Sequence, residues 1–109
     1  MNIEKLRELG ANTDEGLERC MGMEDFYLEM IELGLKDERF EALGKSLEEG
    51  DLDGAFEHAH AIKGVAGNLA LTPLYETVSE ITENLRTKVQ MDYKIPYKKL
   101  LEQRESFLQ

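Results

Sequence analysis

The sequence predicts an all-α protein, and three observations lead to that prediction. Apolar residues recur at steps of three and four along most of the 109-residue chain, which is the spacing of one helix face. Leu, Ile, Met and Ala are prominent, whereas β-branched runs and turn dipeptides are few. The apolar stretches are separated by short breaks that carry helix-ending and helix-starting residues. We expect an antiparallel four-helix bundle with short N-terminal helical segments as a cover.

The N-terminal cover is predicted to consist of two short pieces. The first runs over residues 2–9, has apolar residues on one side and ends at Gly10. The second starts at residues 13–15 and is interrupted at Gly22.

The pattern strengthens after the cover, where a longer helix is predicted. Phe26, Met30 and Leu33 share one face of it, with Tyr27 and Ile31 beside them. The charged segment that follows, residues 36–39, predicts a bend or a short break. The apolar spacing then continues as far as Gly50 through three residues, namely Phe40, Leu43 and Leu47.

The central helix is predicted over residues 51–71. Gly50 is placed just past the preceding helix, and Asp51 is a suitable cap for the next one. Six positions at helical spacing form its apolar stripe: Leu52, Ala55, Ala59, Ile62, Ala66 and Leu69.

The opposite face of the central helix is unusual. It carries His60 and Lys63 one turn apart, together with Gly64 and Gly67. Glycine inside a helix costs about 1 kcal/mol relative to alanine, so two on one exposed face are not explained by helix stability. They leave room for another surface to approach the helix backbone beside an imidazole and an ammonium group.

Two further helices complete the predicted bundle. Thr72 is expected to cap the first of them, with Pro73 in its first turn. Its stripe consists of Leu74, Val78, Ile81 and Leu85. Residues 90–95 are expected to form a loop, after which Pro96 opens a last helix. The apolar positions of that helix are Tyr97, Leu100, Leu101 and Leu108.

Charge and length restrict the class of protein. The chain has 23 acidic and 13 basic residues, a formal net charge of −10, and such a surface repels phosphate backbones and anionic lipid. We therefore expect neither nucleic acid nor membrane as a partner. No segment reaches the ~18 apolar residues of a membrane span, and Cys20 has no second cysteine to pair with. We expect one domain over residues 1–109, with its core bundle over about 23–108, in a cytoplasmic monomer.

The central residues resemble a known family. Residues 60–64, HAIKG, closely resemble the H-x-x-K-G signature of histidine-containing phosphotransfer (HPt) domains of phosphorelay signalling. The likeness extends to the Gly-Asp before the histidine helix and to the small residue and Asn-Leu within residues 66–69. Ala70 departs from the family, in which glycine often follows Asn-Leu, and we expect it to straighten the end of the helix.

The resemblance implies a phosphocarrier rather than an enzyme. It implies that His60 accepts a phosphoryl group from one receiver-domain aspartate and passes it to another. The partners would be a response-regulator receiver domain, a hybrid sensor kinase or both, and the receiver would supply the divalent metal. We expect no cofactor and no metal on this chain, and the absence of a glycine-rich phosphate loop argues against kinase activity of its own.

The chemistry also follows from the residues themselves. A histidine that accepts a phosphoryl group needs an exposed, neutral imidazole, and an ordinary imidazole is largely neutral near pH 7. Lys63 lies at i+3 from His60, where helix side chains meet, so its charge can stabilise the phosphoryl oxygens. We expect a receiver domain to dock over these residues and over Gly64 and Gly67.

The docking surface is expected to have Phe56 and Glu57 near its rim and to include Asn68, which could orient the end of the site. Several of these residues have alternative interpretations. Glu57 and Asn68 could simply be solvated, and Gly67 could permit close helix packing. His58 and His60 point to nearly opposite sides of a helix, which argues against a shared metal ion.

Two functions of other classes stay open. The chain could be a helical binding module that docks a receiver domain without being phosphorylated. It could also be a plain helical scaffold that acts through another part of its acidic surface.

Overall fold

The computed structural model describes all residues, 1–109, and contains helices but no strands. In chain order the seven helices are α1 (Ile3–Glu8), α2 (Thr13–Arg19), α3 (Glu24–Leu35), α4 (Arg39–Glu48), α5 (Leu52–Asn68), α6 (Thr72–Arg86) and α7 (Lys94–Leu108). The all-α prediction is therefore confirmed. The two predicted N-terminal pieces, the break between residues 35 and 39, and the start of the central helix are also found where the sequence placed them.

The four C-terminal helices form the bundle. α5 packs against both α4 and α6, while α7 packs against α6, α4 and α3. The connections from α4 to α5 and from α5 to α6 are only three residues long, so consecutive helices reverse direction. The predicted apolar stripe of α6 is buried throughout, and the buried part of the α5 stripe consists of Ala55, Ala59, Ile62 and Ala66. This packing leaves the opposite face of α5 directed away from the core.

The segment that contains α1 and α2 packs on the same core, beside the connection between α5 and α6. Leu6 of α1 and Cys20, which follows α2, belong to one buried cluster that reaches as far as Phe107 of α7. Gly16 of α2 lets the ring of Tyr27 pack so close to the α2 backbone that a β-carbon at this glycine would clash with the ring. The tyrosine hydroxyl in turn donates a 2.7 Å hydrogen bond to the carbonyl of Leu69 at the end of α5.

The predicted face of α3 was wrong. Tyr27, Ile31 and Leu35 are the buried residues, whereas Phe26 is 42% exposed and Leu33 is 61% exposed. Two tertiary contacts explain the difference. The hydroxyl of Tyr27 is anchored to α5, and the glycine at position 34 lets α3 approach the side chains of Val65 and Leu69 closely. Because α3 has apolar residues on several sides, its sequence did not select the face.

The connection between α5 and α6 corrects three predictions. The central helix ends at Asn68, not at residue 71, and Ala70 does not straighten it because its φ is +57°. The amides of Ala70 and Leu71 bond to the carbonyls of Gly67 and Ala66, the pattern that usually has glycine in the left-handed position. The cap of α6 is Leu71, so Thr72 occupies the first turn and does not serve as the predicted cap.

The last helix starts earlier than predicted. α7 begins at Lys94, so Pro96 lies within its first turn, and the connection from α6 spans residues 87–93 instead of the predicted 90–95. Proline is tolerated there because the first amides of a helix have no partner within the helix. None of the seven helices combines the length and apolar character that a membrane span requires.

The buried phenol of Tyr27 predicts a loss of stability at high pH. Burial, with a smaller contribution from Cys20, raises the pKa of Tyr27 from 10.0 to about 12. Between pH 10 and pH 12 the unfolded chain loses this proton while the folded chain keeps it, so stability falls as pH rises. The loss approaches about 3 kcal/mol above pH 12, and none of it is present below pH 10.

Unfolding by urea between pH 8 and pH 12 measures this effect. Tyr27→Phe should cost ~1 kcal/mol at neutral pH, through the lost hydrogen bond to Leu69, but should decline less steeply above pH 10. Some decline should remain, because burial also raises the pKa of Tyr93 and Tyr97. An equally steep alkaline decline in the variant would show that Tyr27 is not its source.

Candidate functional site

The outward face of α5 presents His60 to solvent. Its imidazole is exposed and stacks on the ring of Phe56 one turn earlier, with ring centroids 5.7 Å apart and planes inclined by 17°. Phe56 is itself half-buried against the core. The aromatic contact therefore supports the imidazole from one side and leaves its other side open to solvent.

An open depression of about 500 Å³ lies beside the imidazole. Helix α5 contributes His60, Lys63, Gly64, Gly67 and Asn68 to its lining. Helix α6 contributes Thr72 and Tyr75 from its first turn, and α2 contributes Glu15 and Arg19. The depression thus combines the imidazole with two cationic side chains and a single carboxylate.

Lys63 is held on the α6 side of the depression. Its ammonium nitrogen lies 5.9 Å from the centroid of the Tyr75 ring, within the range of a cation–π contact. Lys63 is half-buried and forms no ion pair. Its charge is therefore not compensated by a carboxylate and remains available to an anion that enters the depression.

The two glycines of this face have different surroundings. A β-carbon built on Gly64 meets no atom within 4 Å, so nothing inside the protein requires glycine there. A β-carbon on Gly67 would lie 3.2 Å from Cε1 of Tyr75, a contact that the ring would have to relieve by shifting. The close-packing alternative for Gly67 therefore has support in the structure, whereas Gly64 leaves open space on the surface.

Arg19 and Glu15 reach the depression from the N-terminal cover. Nη1 of Arg19 donates a 2.6 Å hydrogen bond to the carbonyl of Gly67, and Nη2 forms an ion pair with the Glu15 carboxylate. Sequence reasoning missed both residues, and also Thr72 and Tyr75. No local signal identifies Arg19, because it lies 48 positions from its partner on α5.

A comparison with protein-family models finds the Hpt domain, matched over residues 33–104, more than half of the chain. This chain belongs to the Hpt domain family. Hpt domains are phosphotransfer modules of phosphorelay signalling, which agrees with the resemblance identified from residues 60–64. No curated protein and no solved structure matches the chain significantly. The matched region contains α4, α5 and α6 entire, whereas α1 and α2 lie outside it.

The remaining predicted residues of this Hpt domain lie on α5, but only one of them lines the depression. Asn68 is exposed and lines it, while Phe56 and Glu57 do not. Phe56 instead contacts the imidazole, and Glu57 is exposed without an ion pair or a side-chain hydrogen bond. The predicted docking residues therefore form one continuous helix face, with Glu57 at its margin.

His58 has a separate environment in the Hpt domain. It is half-buried between α5 and α4, with its Nδ1 atom 3.4 Å from Nη1 of Arg39. It does not line the depression, so the two histidines lie on different sides of α5. The structure contains no group of three or more His, Cys, Asp or Glu side chains placed to hold a metal ion.

Proposed function

We propose that this Hpt domain is a phosphocarrier whose phosphoacceptor is His60. The observation that carries the proposal is the combination at one site of an exposed imidazole, an unpaired lysine one turn away and open space over Gly64. The phosphoryl donor and acceptor are aspartates of receiver domains, free or within a hybrid sensor kinase. The chain is a stoichiometric intermediate of this transfer and not a catalyst of phosphorylation from a nucleotide.

The transfer step exchanges one bond for another. The lone pair of the unprotonated ring nitrogen of His60 attacks the phosphorus of the receiver's aspartyl phosphate, in line with the leaving oxygen. An N–P bond forms as the O–P bond breaks, and the aspartate leaves as a carboxylate with the electron pair. Immediately after the transfer the other ring nitrogen still carries its proton, so the phosphorylated ring is positively charged. The ring becomes neutral when it releases that proton to water.

The residues around His60 contribute positioning and charge. The stacked ring of Phe56 restricts the orientation of the imidazole, so less rotational freedom is lost when the donor docks. The ammonium of Lys63 stabilises the charge on the equatorial phosphoryl oxygens. The open surface at Gly64 lets the partner's backbone approach, and the partner brings the divalent metal that phosphoryl transfer uses.

The test is incubation with a receiver domain that carries a radiolabelled phosphoryl group on its aspartate. Label should appear on the Hpt domain and should be stable in base and lost in acid, as a phosphorus–nitrogen bond requires. A second, unlabelled receiver domain should then remove it. If none of the receiver domains from the cell in which this protein occurs transfers label to it, the phosphocarrier function is wrong. In that case, binding without transfer would identify a docking module.

A further inference from the structure

Arg19 provides a second cationic group at the site, and it comes from outside the residues that match the Hpt family. It lies on α2, whereas the family match begins at residue 33. Its guanidinium lines the same depression as His60 and Lys63 and is tied to α5 through the Gly67 carbonyl. The side chain is 45% exposed, so a docked molecule can reach it.

Arg19 forms one ion pair, with the Glu15 carboxylate, and another anion can replace that carboxylate. Glu15 is the only carboxylate that lines the depression, and its side chain is also 45% exposed. Exposed ion pairs of this i,i+4 kind contribute only ~0.5 kcal/mol, so an incoming oxyanion competes with Glu15 at little cost. The hydrogen bond to Gly67 uses a different guanidinium nitrogen and can persist during that exchange.

The position of Arg19 determines what kind of anion it meets. Gly67 lies seven residues after His60, which corresponds to roughly 10 Å along the helix. A phosphoryl group on the imidazole is therefore nearer to Lys63 than to Arg19. A partner domain that covers the whole depression would instead place its own carboxylate side chains or phosphoryl oxygens opposite the guanidinium.

We propose that Arg19 is a partner-recognition residue that exchanges the Glu15 carboxylate for an anionic group of the docked receiver domain. The inference rests on the proposed function and adds a contact that the N-terminal cover makes with the partner. Arg19 acts on docking rather than on the transfer step. It should therefore change the concentration of receiver needed for transfer and leave the maximal rate nearly unaltered.

The experiment compares three variants in transfer from a radiolabelled receiver domain over a range of receiver concentrations. Arg19→Gln should raise the receiver concentration that gives half-maximal transfer about tenfold, with little change in the maximal transfer rate. Glu15→Gln should lower the half-saturating receiver concentration, because it removes the competing carboxylate and leaves the charge of Arg19 uncompensated. Arg86→Gln is the matched control, since Arg86 also pairs with a neighbouring glutamate on its own helix but does not line the depression.

The two glutamine variants at the site separate recognition from a purely structural role. If Arg19 only fastened α2 to α5, removing either partner of the ion pair would loosen that contact, and both variants would change the half-saturating receiver concentration in the same direction. Opposite changes of the half-saturating receiver concentration in the two variants support partner recognition by Arg19. If the wild-type chain accepts label normally but Arg19→Gln and Arg86→Gln need the same receiver concentration for half-maximal transfer, this inference alone is overturned. Failure of the wild-type chain to accept label instead overturns the proposed function.

Discussion

Replacing His60 by Gln is expected to abolish transfer of the phosphoryl group to this chain. The amide of glutamine is polar and of similar size, but its nitrogen has no lone pair available for attack on phosphorus. Because the imidazole is exposed and stacks on the Phe56 ring outside the buried core, the fold should be unaffected. The measurement is the amount of acid-labile label that the variant takes from a phosphorylated receiver domain, with the helix content followed by circular dichroism.

The second histidine supplies the matched control. His58→Gln keeps His60 and its surroundings and alters a half-buried side chain near Arg39 on the other side of the helix. It should accept label at close to the wild-type rate. The His60→Gln protein should still bind the receiver domain, since the docking surface is intact. Label on His60→Gln, or its loss from His58→Gln, would place the phosphoacceptor elsewhere.

Replacing Gly64 by Gln is expected to lower transfer at least tenfold while making the protein more stable. Glycine in a helix interior is about 1 kcal/mol less favourable than alanine, and most of that difference is recovered with glutamine. Within the protein an added β-carbon meets no atom within 4 Å, so the substitution causes no internal clash at its first carbon. The new side chain would instead occupy the space into which a partner's backbone is proposed to dock. Opposite changes in stability and transfer are the signature of a surface kept clear for binding.

A graded series at position 64 tests this explanation. Gly64→Ala should gain a similar stability and lose less transfer than Gly64→Gln, because a methyl group obstructs less of the surface. Unfolding in urea measures the first quantity, and receiver-dependent labelling measures the second. Gly67→Ala is a contrasting variant, since its β-carbon would press on the Tyr75 ring and should not give the same stability gain. Unchanged transfer in Gly64→Gln would mean that no partner docks over this residue.

The residues at the centre of the site could be predicted from the sequence because all of them lie on one helix, α5. The spacing of Ala55, Ala59, Ile62 and Ala66 determines which face of α5 is buried, and the opposite face then follows from helix geometry. This is why the exposure of His60 could be anticipated without knowing the neighbouring helices. The cap at Asp51 and the glycine before it were local signals of the same kind.

Other features were not encoded locally. Ala70 has no intrinsic preference for a positive φ, yet it adopts +57° where α5 must end so that α6 can pack back against it. The carbonyl of this residue accepts a 2.9 Å bond from the amide of Asn12, a contact between distant parts of the chain. The left-handed conformation at position 70 therefore accompanies tertiary contacts, and inspection of the residues around it predicted the opposite.

The sequence by itself determined the all-α class, the helix order, the buried stripes of α5 and α6, and the face that presents His60 and Lys63. These depend on periodicity and on capping, which act within a few residues. Only the tertiary structure decided which face of α3 is buried and which residues of the N-terminal cover stand beside the histidine. Those choices depend on close contacts between helices far apart in sequence, such as the Arg19 guanidinium at the Gly67 carbonyl, and no local pattern specifies such a pairing.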